Sequence, residues 1–333
     1  MYTGGSPSSA SRILVVRLGA MGDIIHTLPA VASVKHSFPG SRLTWLVEPR
    51  WAPLLEGNPC VDRLVLVDRG SAAALWRTLH ELRREPFDFA VDFQGLLKSA
   101  VAARAAGADR IFGYHHSHAR EPLAALFYSD KIAARSLHAV GRALDLAAGA
   151  GASTVVQSFP LPQGRPEGSL PAGAFVLASP LSGWGAKQWP LEYYGQLGAR
   201  LRHEAGVALV LNGPPAEREK LAGVPDTVTH FSSIGGLIDA TRRAVAVVGL
   251  DSGPLHLAAA LGKSGVAVFG PTDPERNGPR GGSVTVLRSP RAITSYKRLA
   301  QIDASMREIS PEAVFEALRP HLARRPHTAD CLA

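Results

Sequence analysis

Arg17-Leu18-Gly19-Ala20-Met21-Gly22-Asp23-Ile24-Ile25-His26-Thr27-Leu28-Pro29-Ala30 follows directly on a short apolar run, Ile13-Leu14-Val15-Val16. The run reads as a buried first strand. Gly19 and Gly22 let the backbone turn sharply and pass close to a ligand. One carboxylate, Asp23, sits between that strand and the helical pattern that follows. In an open α/β sheet ligands bind outside the carboxyl ends of the strands, so Asp23 is offered to such a site. The alternative is an ordinary helix N-cap, whose carboxylate accepts from orphan amides. The glycines are spaced G-x-x-G rather than G-x-G-x-x-G, which argues against a dinucleotide fingerprint and a nicotinamide enzyme.

The 333 residues suffice for two domains, each with its own core. With 46% hydrophobic and 19% charged residues the composition is globular. No apolar run reaches the roughly 18 residues a spanning helix needs. Residues 1–11 are Gly/Ser-rich without an apolar core and read as a frayed tail rather than a signal peptide. Cys60 and Cys331 are far apart and lack neighbours at ligand spacing, so neither a disulfide framework nor a metal site is expected, as suits a reducing cytoplasm. The net charge of +8 suggests an anionic partner: phosphates, an acidic sugar, nucleic acid or an anionic membrane surface. The alternative is that it only aids solubility. Nucleic acid is disfavoured by the absence of a basic-aromatic module or zinc-finger spacing.

Strand-like segments at 13–16, 43–47, 64–67, 87–91 and 110–113 alternate with helical patterns that include 73–84 and 96–106. This alternation predicts a parallel sheet covered on both faces. The Pro/Gly-rich stretch 158–173 reads as an interdomain linker. Strands are then expected at 174–178, 207–211, 244–248, 265–269 and 284–287, with helices at 191–203, 234–243 and 254–261. The expected fold class is therefore α/β, with two doubly wound Rossmann-like domains facing a central cleft. The first spans 12–157 and the second 174–310. A C-terminal helix and tail over 311–333 is placed to pack back on the first domain.

Four loops of the second half carry chemistry. Ser179 to Pro190 follows a strand, has small residues, and offers Lys187 as a point charge suited to phosphate; the alternative is a solvated lysine. Asn212 to Glu217 offers a carboxylate for ribose hydroxyls or, alternatively, for the helix macrodipole. Gly249-Leu250-Asp251-Ser252-Gly253-Pro254-Leu255-His256 runs from a strand into a helix opened by Pro254, the arrangement that holds a phosphate on backbone amides. Asp251 suits either a cap or sugar hydroxyls, and His256 is as readily structural as functional. Phe269 to Pro274 is a further small-residue turn. Together the loops outline a diphosphate-nucleoside pocket.

These residues, in order, resemble the ADP-heptose:lipopolysaccharide heptosyltransferases, inverting glycosyltransferases of the GT-B fold. The resemblance runs from about Arg12 to Arg319. It rests on Met21-Gly22-Asp23 with Thr27-Leu28-Pro29-Ala30, on Asp92-Phe93-Gln94-Gly95-Leu96-Leu97-Lys98-Ser99, and on Arg120-Glu121-Pro122-Leu123 with Phe127-Tyr128. Lys187-Gln188-Trp189-Pro190, Asp251 to Ala259 and Gly270-Pro271-Thr272-Asp273-Pro274 complete it. The Asp92 and Arg120 blocks look most like the type I enzymes, which add the first heptose to the Kdo residue of the inner core.

The resemblance implies roles. Asp23 would be the general base on the acceptor hydroxyl. Lys187 and the Ser252 and Gly253 amides would stabilise charge on the departing ADP without an obligatory metal or other cofactor. Gly22, Ser182, Gly183, Leu255 and His256 fall with the donor-binding positions, Glu217 with the ribose carboxylate, Asp251 with heptose hydroxyls and Ser232 near adenine. Lys98, Arg120, Arg69 and Arg77 would face the anionic acceptor, Kdo-lipid A. The implied protein is a monomer, peripheral on the cytoplasmic face of the inner membrane. Three departures concern the acceptor more than the chemistry. Asp251-Ser252-Gly253-Pro254 stands where type I enzymes often have Asp-Thr-Gly, Ser182-Gly183-Trp184-Gly185 replaces a Thr-rich loop, and a late cysteine cluster is missing. Competing readings are a heptosyltransferase II or another nucleotide-sugar transferase, a GT-B nucleotide-sugar epimerase, and a catalytically silent nucleotide-binding module.

Overall fold

A computed structural model of the chain describes residues 11–67, 71–84 and 86–323. The chain divides into two compact units, Met1–Pro162 and Gln163–Ala333. Each unit is built on one six-stranded, wholly parallel sheet.

In the first unit, β1 (Arg12–Val16) has four consecutive buried residues, the pattern of a central strand covered on both faces. It pairs with β2 (Arg42–Val47) on one side and β4 (Phe89–Asp92) on the other. Adding β3 (Arg63–Leu66), β5 (Arg110–Tyr114) and β6 (Asp130–Ile132) gives the order β3-β2-β1-β4-β5-β6. Helices α1 (Met21–Ser37), α2 (Ala72–Arg83), α3 (Leu97–Ala105) and α4 (Ala139–Gly149) complete the unit. Because parallel neighbours need crossovers, the strand order reverses between β1 and β4, and the loops that leave these two strands diverge there.

The second unit repeats the plan. Its order is β12-β11-β10-β7-β8-β9, from β7 (Phe175–Ala178), β8 (Ala208–Gly213), β9 (Val228–Phe231), β10 (Ala246–Leu250), β11 (Ser264–Phe269) and β12 (Ser283–Arg288). Here the reversal lies between β7 and β10. The helices that matter to the site are α5 (Leu191–Arg200), α6 (Arg218–Ala222), α7 (Ile234–Arg243) and α8 (Gly253–Ala260). Short helices α9 (Pro274–Asn277) and α10 (Ala304–Arg307) lead to α11 (Pro311–Leu322). Val314, Phe315 and Leu318 of α11 join Trp189, Tyr194, Leu197 and the strand residues in the second unit's own core.

Most expected elements are present within one or two residues; the differences have local causes. The strand expected at 87–91 starts at Phe89, because Asp88 instead exchanges hydrogen bonds with the start of β1: its amide donates to Arg12 O and its carboxylate accepts from Arg12 N. The strand runs on to Asp92, which brings that carboxylate into the sheet. The helix expected to reach 203 widens into a π-turn at Leu201–Ala205 and stops at Gly206. Strands β6 and β9 and helix α4 were not anticipated. Of the Pro/Gly-rich stretch, the part after Gln163 is fastened down: Arg165 N donates to Gly235 O, and Glu167 accepts from Ser233 N and Oγ. No helix among the described residues is long and apolar enough to cross a membrane.

Gly113 in β5 has no room for a side chain, since a Cβ there would lie 2.3 Å from the buried Tyr128 ring. Gly113→Ala is expected to displace that ring and cost about 1–3 kcal/mol of stability, an overpacking penalty. Urea denaturation checks this; an unchanged midpoint would show that the ring can move freely.

Candidate active site

The loop leaving β1 and the loop leaving β4 are locked together at the first reversal. Asp92, the last residue of β4, is fully buried. It accepts from Gln94 N (2.8 Å), Gly95 N (3.3 Å), Ser99 Oγ (2.8 Å) and Tyr128 Oη (2.7 Å). Burial pushes its carboxyl above the usual range, and these donors pull it back only in part. Tyr128 is held protonated by burial and by the adjacent Asp92 charge, so it stays a donor. The turn so formed aims Gln94, whose Oε1 accepts from Leu18 N (3.0 Å) and Gly19 N (3.3 Å). One buried carboxylate thus sets the course of the loop that carries Asp23.

Asp23 lies in the first turn of α1, one-third exposed. Arg17 Nη2 lies 3.0 Å from Oδ1, and Arg120 Nη1 3.3 Å from Oδ2. Ala20 N donates to Oδ2 at 3.4 Å. Arg17 is itself oriented by donating to Phe93 O, in the turn after β4. Arg120 reaches Asp23 because its backbone is pinned to that same turn. Glu121 N donates to Gly95 O (3.0 Å), and Glu121 Oε2 accepts from Leu97 N (2.7 Å). Gly95 has φ +66°, and a Cβ on it would lie 3.3 Å from Arg120 N. The Asp92 and Arg120 motifs, far apart in sequence, are one structural unit.

At the second reversal the loops after β7 and β10 meet through Lys187 and Asp251. Lys187 Nζ lies 2.6 Å from Asp251 Oδ2 and donates to Asp251 O at 3.2 Å. His256 Nε2 is 3.5 Å from the other carboxylate oxygen. Burial alone would raise the Asp251 pKa; His256 and the Lys187 charge outweigh it and hold the carboxyl well below the usual range. The Lys187 ammonium also sits 4.2 Å from the Trp184 ring centroid, and Arg298 lies over that ring at 5.3 Å. The segment after Arg298 clamps the loop: Ala186 N donates to Leu299 O, and a Cβ on Gly185 would collide with Ala300 O. Ser252 holds the N-cap position of α8 without a side-chain capping bond, and the amide of Gly253, the first helical residue, has no intrahelical acceptor. The Ser252 and Thr272 hydroxyls, at the ends of β10 and β11, are buried without a protein partner among the described residues. Lone hydroxyls beside a helix N-terminus and a fixed ammonium are what a bound phosphate uses.

The family model described as glycosyltransferase family 9 (heptosyltransferase) matches residues 75–301. The chain belongs to this family. Among curated relatives, lipopolysaccharide heptosyltransferase 1 of Pseudomonas aeruginosa is 33% identical over 303 residues, which cover 84% of each chain. Among solved structures, the Escherichia coli heptosyltransferase WaaC with ADP superposes with a TM-score of 0.77 at 28% identity, covering 93% of this chain and 99% of WaaC. WaaC with ADP-2-deoxy-2-fluoro heptose gives 0.73 at 27% identity, covering 92% and 98%. The fold is GT-B, two Rossmann-like units, and the protein is a glycosyltransferase. The epimerase, silent-module and dehydrogenase readings are thereby set aside.

In this heptosyltransferase-family chain the other expected residues fall as follows. Gly22 precedes Asp23 in the first turn of α1. Ser182 Oγ accepts from Trp184 N in a turn, and Gly183 is exposed with open space around its Cα. Glu217, after β8, pairs with Lys220 at 2.6 Å. Ser232 is buried and accepts from Asn212 Nδ2 at 2.9 Å. The Leu255 side chain is in the core against Gly249. Gly253 opens α8. Lys98 is exposed in the first turn of α3, and Arg77 is exposed on α2. Arg69 lies outside the described residues. Arg17, Gln94, Trp184 and the 298–300 segment were not singled out from sequence. Arg17 and Gln94 carried a signal, being polar residues at the ends of buried strands.

Asp92 titrates higher in the folded chain, so its contribution to stability is full below the unfolded value of 3.8 and is lost as pH rises through the native value. Asp92→Asn cannot ionise. Its stability relative to the wild type is expected to improve as pH rises from about 4 to about 7. Urea midpoints at several pH values test this; parallel curves would refute it.

Proposed function

We propose that this glycosyltransferase transfers L-glycero-D-manno-heptose from ADP-heptose to the Kdo residue of a lipid A precursor, inverting the anomeric centre. The observation that carries the reading is Asp23 held between Arg17 and Arg120. An ionised carboxylate has about four acceptor sites. Ala20 N, Arg17 and Arg120 occupy three, leaving one for an incoming hydroxyl. The two guanidiniums orient the group. As the acceptor oxygen bonds to the anomeric carbon, its proton passes to Asp23, and the bond from that carbon to the phosphate oxygen breaks. ADP leaves with the electron pair.

Charge grows on the diphosphate during this step, so fixed donors there act mainly on the transition state. Lys187 has such a position. Asp251 takes two of its contacts, and the ammonium has three donors. The Ser252 and Gly253 amides and the lone Ser252 hydroxyl suit the phosphates, Asp251 the heptose hydroxyls, Glu217 the ribose and Ser232 the adenine. Lys98, Arg77 and Arg120 suit the Kdo carboxylate and phosphates of the acceptor. In this reading the enzyme works as a monomer on the cytoplasmic face of the inner membrane. The similarity to relatives named heptosyltransferase 1 supports the Kdo acceptor. The Ser252-Gly253-Pro254 variant favours a second reading with the same donor and a different acceptor, such as the first heptose.

The test is ADP release from ADP-heptose, with and without Kdo-lipid A. Release that depends on Kdo-lipid A supports the reading; release only with a heptosylated acceptor moves it to the second. Asp23→Ala is expected to lower turnover by about 10²–10⁴-fold, while ADP affinity by calorimetry changes less than about twofold. Near-wild-type turnover in that variant would remove Asp23 from the base role.

A further inference from the structure

Leu123 and Leu126 are 63% and 75% exposed, whereas Ala124 and Ala125 between them are buried. The 3-10 turn Pro122–Phe127 therefore places its small residues in the core and its large ones in solvent, the reverse of what water favours. Helix α3 does the same. Ala100 and Ala103 are buried, while Leu97 and Val101 are 39% and 44% exposed. Leu97 and Val101 are one helical turn apart and share a side, as do Leu123 and Leu126 in the tighter turn. The turn packs on α3, and Glu121 joins the two by accepting from Leu97 N. The two packed elements together present four exposed apolar side chains.

The charge around them is net positive. Lys98 and Arg104 are exposed on α3, and the one acidic residue at the junction, Glu121, has a carboxylate oxygen engaged by Leu97 N. An apolar ridge with basic flanks matches an anionic lipid surface, where leucines enter the interfacial zone and the cations meet phosphates.

We propose that this face, Leu97, Val101, Leu123 and Leu126 with Lys98 and Arg104, docks the first unit on an anionic lipid bilayer. It rests on the proposed function for one point only, the lipid-linked acceptor. Arg120, which grips Asp23, is the residue before Glu121, so docking here brings the base close to the headgroups from which such a sugar projects.

The experiment is co-sedimentation of the full chain with vesicles of phosphatidylethanolamine and phosphatidylglycerol, and with phosphatidylcholine alone. Binding is expected to the anionic vesicles and to weaken with salt. Leu123→Asp and Leu126→Asp are each expected to lower the partition coefficient by about tenfold or more, and Arg104→Glu to flatten the salt dependence. Turnover of Leu126→Asp on a detergent-dispersed acceptor is expected to match the wild type, with an unchanged circular dichroism spectrum. Equal partitioning of wild type and variants, or no partitioning, overturns the proposal. So does self-association of the wild type that these substitutions abolish without vesicle binding, which assigns the face to a second copy. If the proposed function is wrong, detergent-dispersed acceptor gives no ADP release even with wild type, while the vesicle result stands.

Discussion

A carboxylate buried at the end of a central strand, Asp92, is the constraint on which the first unit's chemistry depends. An isolated charge in such a position is costly, and proteins keep one only where donors converge on it. Two backbone amides, a serine and a tyrosine converge here, drawn from the β4 turn, α3 and the segment before β6. Satisfying Asp92 therefore fixes three elements at once. The same turn then sends Gln94 to the amides of the β1 loop and presents Phe93 O to Arg17. Asp23 is positioned at the end of this chain of bonds, on the N-terminal turn of a long helix rather than on a free loop. Sites held by such supporting bonds keep their geometry without reorganising during the reaction.

The second unit solves the same problem with opposite electrostatics. Asp251 is nearly as buried as Asp92 but has a cation in contact, so it stays ionised where Asp92 is pushed toward neutrality. The pair orients Lys187, and Trp184 and the Leu299–Ala300 segment restrict the loop that carries it. Both sites sit where the strand order reverses. Two copies of one topology thus place an arginine-held carboxylate in one unit and a carboxylate-held ammonium in the other.

Much of this was legible in the sequence, for identifiable reasons. The central strands are continuous apolar runs because both faces are covered, and such runs stand out. Asp251 and Ser252 follow such a run directly, and Asp23 and Lys187 lie in the segments that leave β1 and β7, at strand ends where ligands gather. Apart from helix α4, what escaped was either marginal or long-range. β6 and β9 are short edge strands with few buried residues, and so give little alternation to read. The Arg120–Asp23 contact joins residues 97 positions apart, and no local pattern reports it. Arg120 was assigned to the acceptor from its motif; its place beside Asp23 came only from the fold. The clamp on Lys187 depends on Gly185 making room for Ala300, a packing fact that composition does not carry.

The division at Pro162 and Gln163 has a consequence for how the protein is made. Every strand of the first sheet, and the helix that follows β6, precede that point, so all six strands of that sheet have been synthesised when residue 163 is added. At ~5–20 residues per second the remaining half takes on the order of ten to thirty seconds more. A parallel sheet with this many crossovers folds slowly, and that interval gives the N-terminal half time to close before its structural twin emerges. Two neighbouring domains with the same strand order are exposed to mispairing between like strands. Sequential emergence from the ribosome separates them in time.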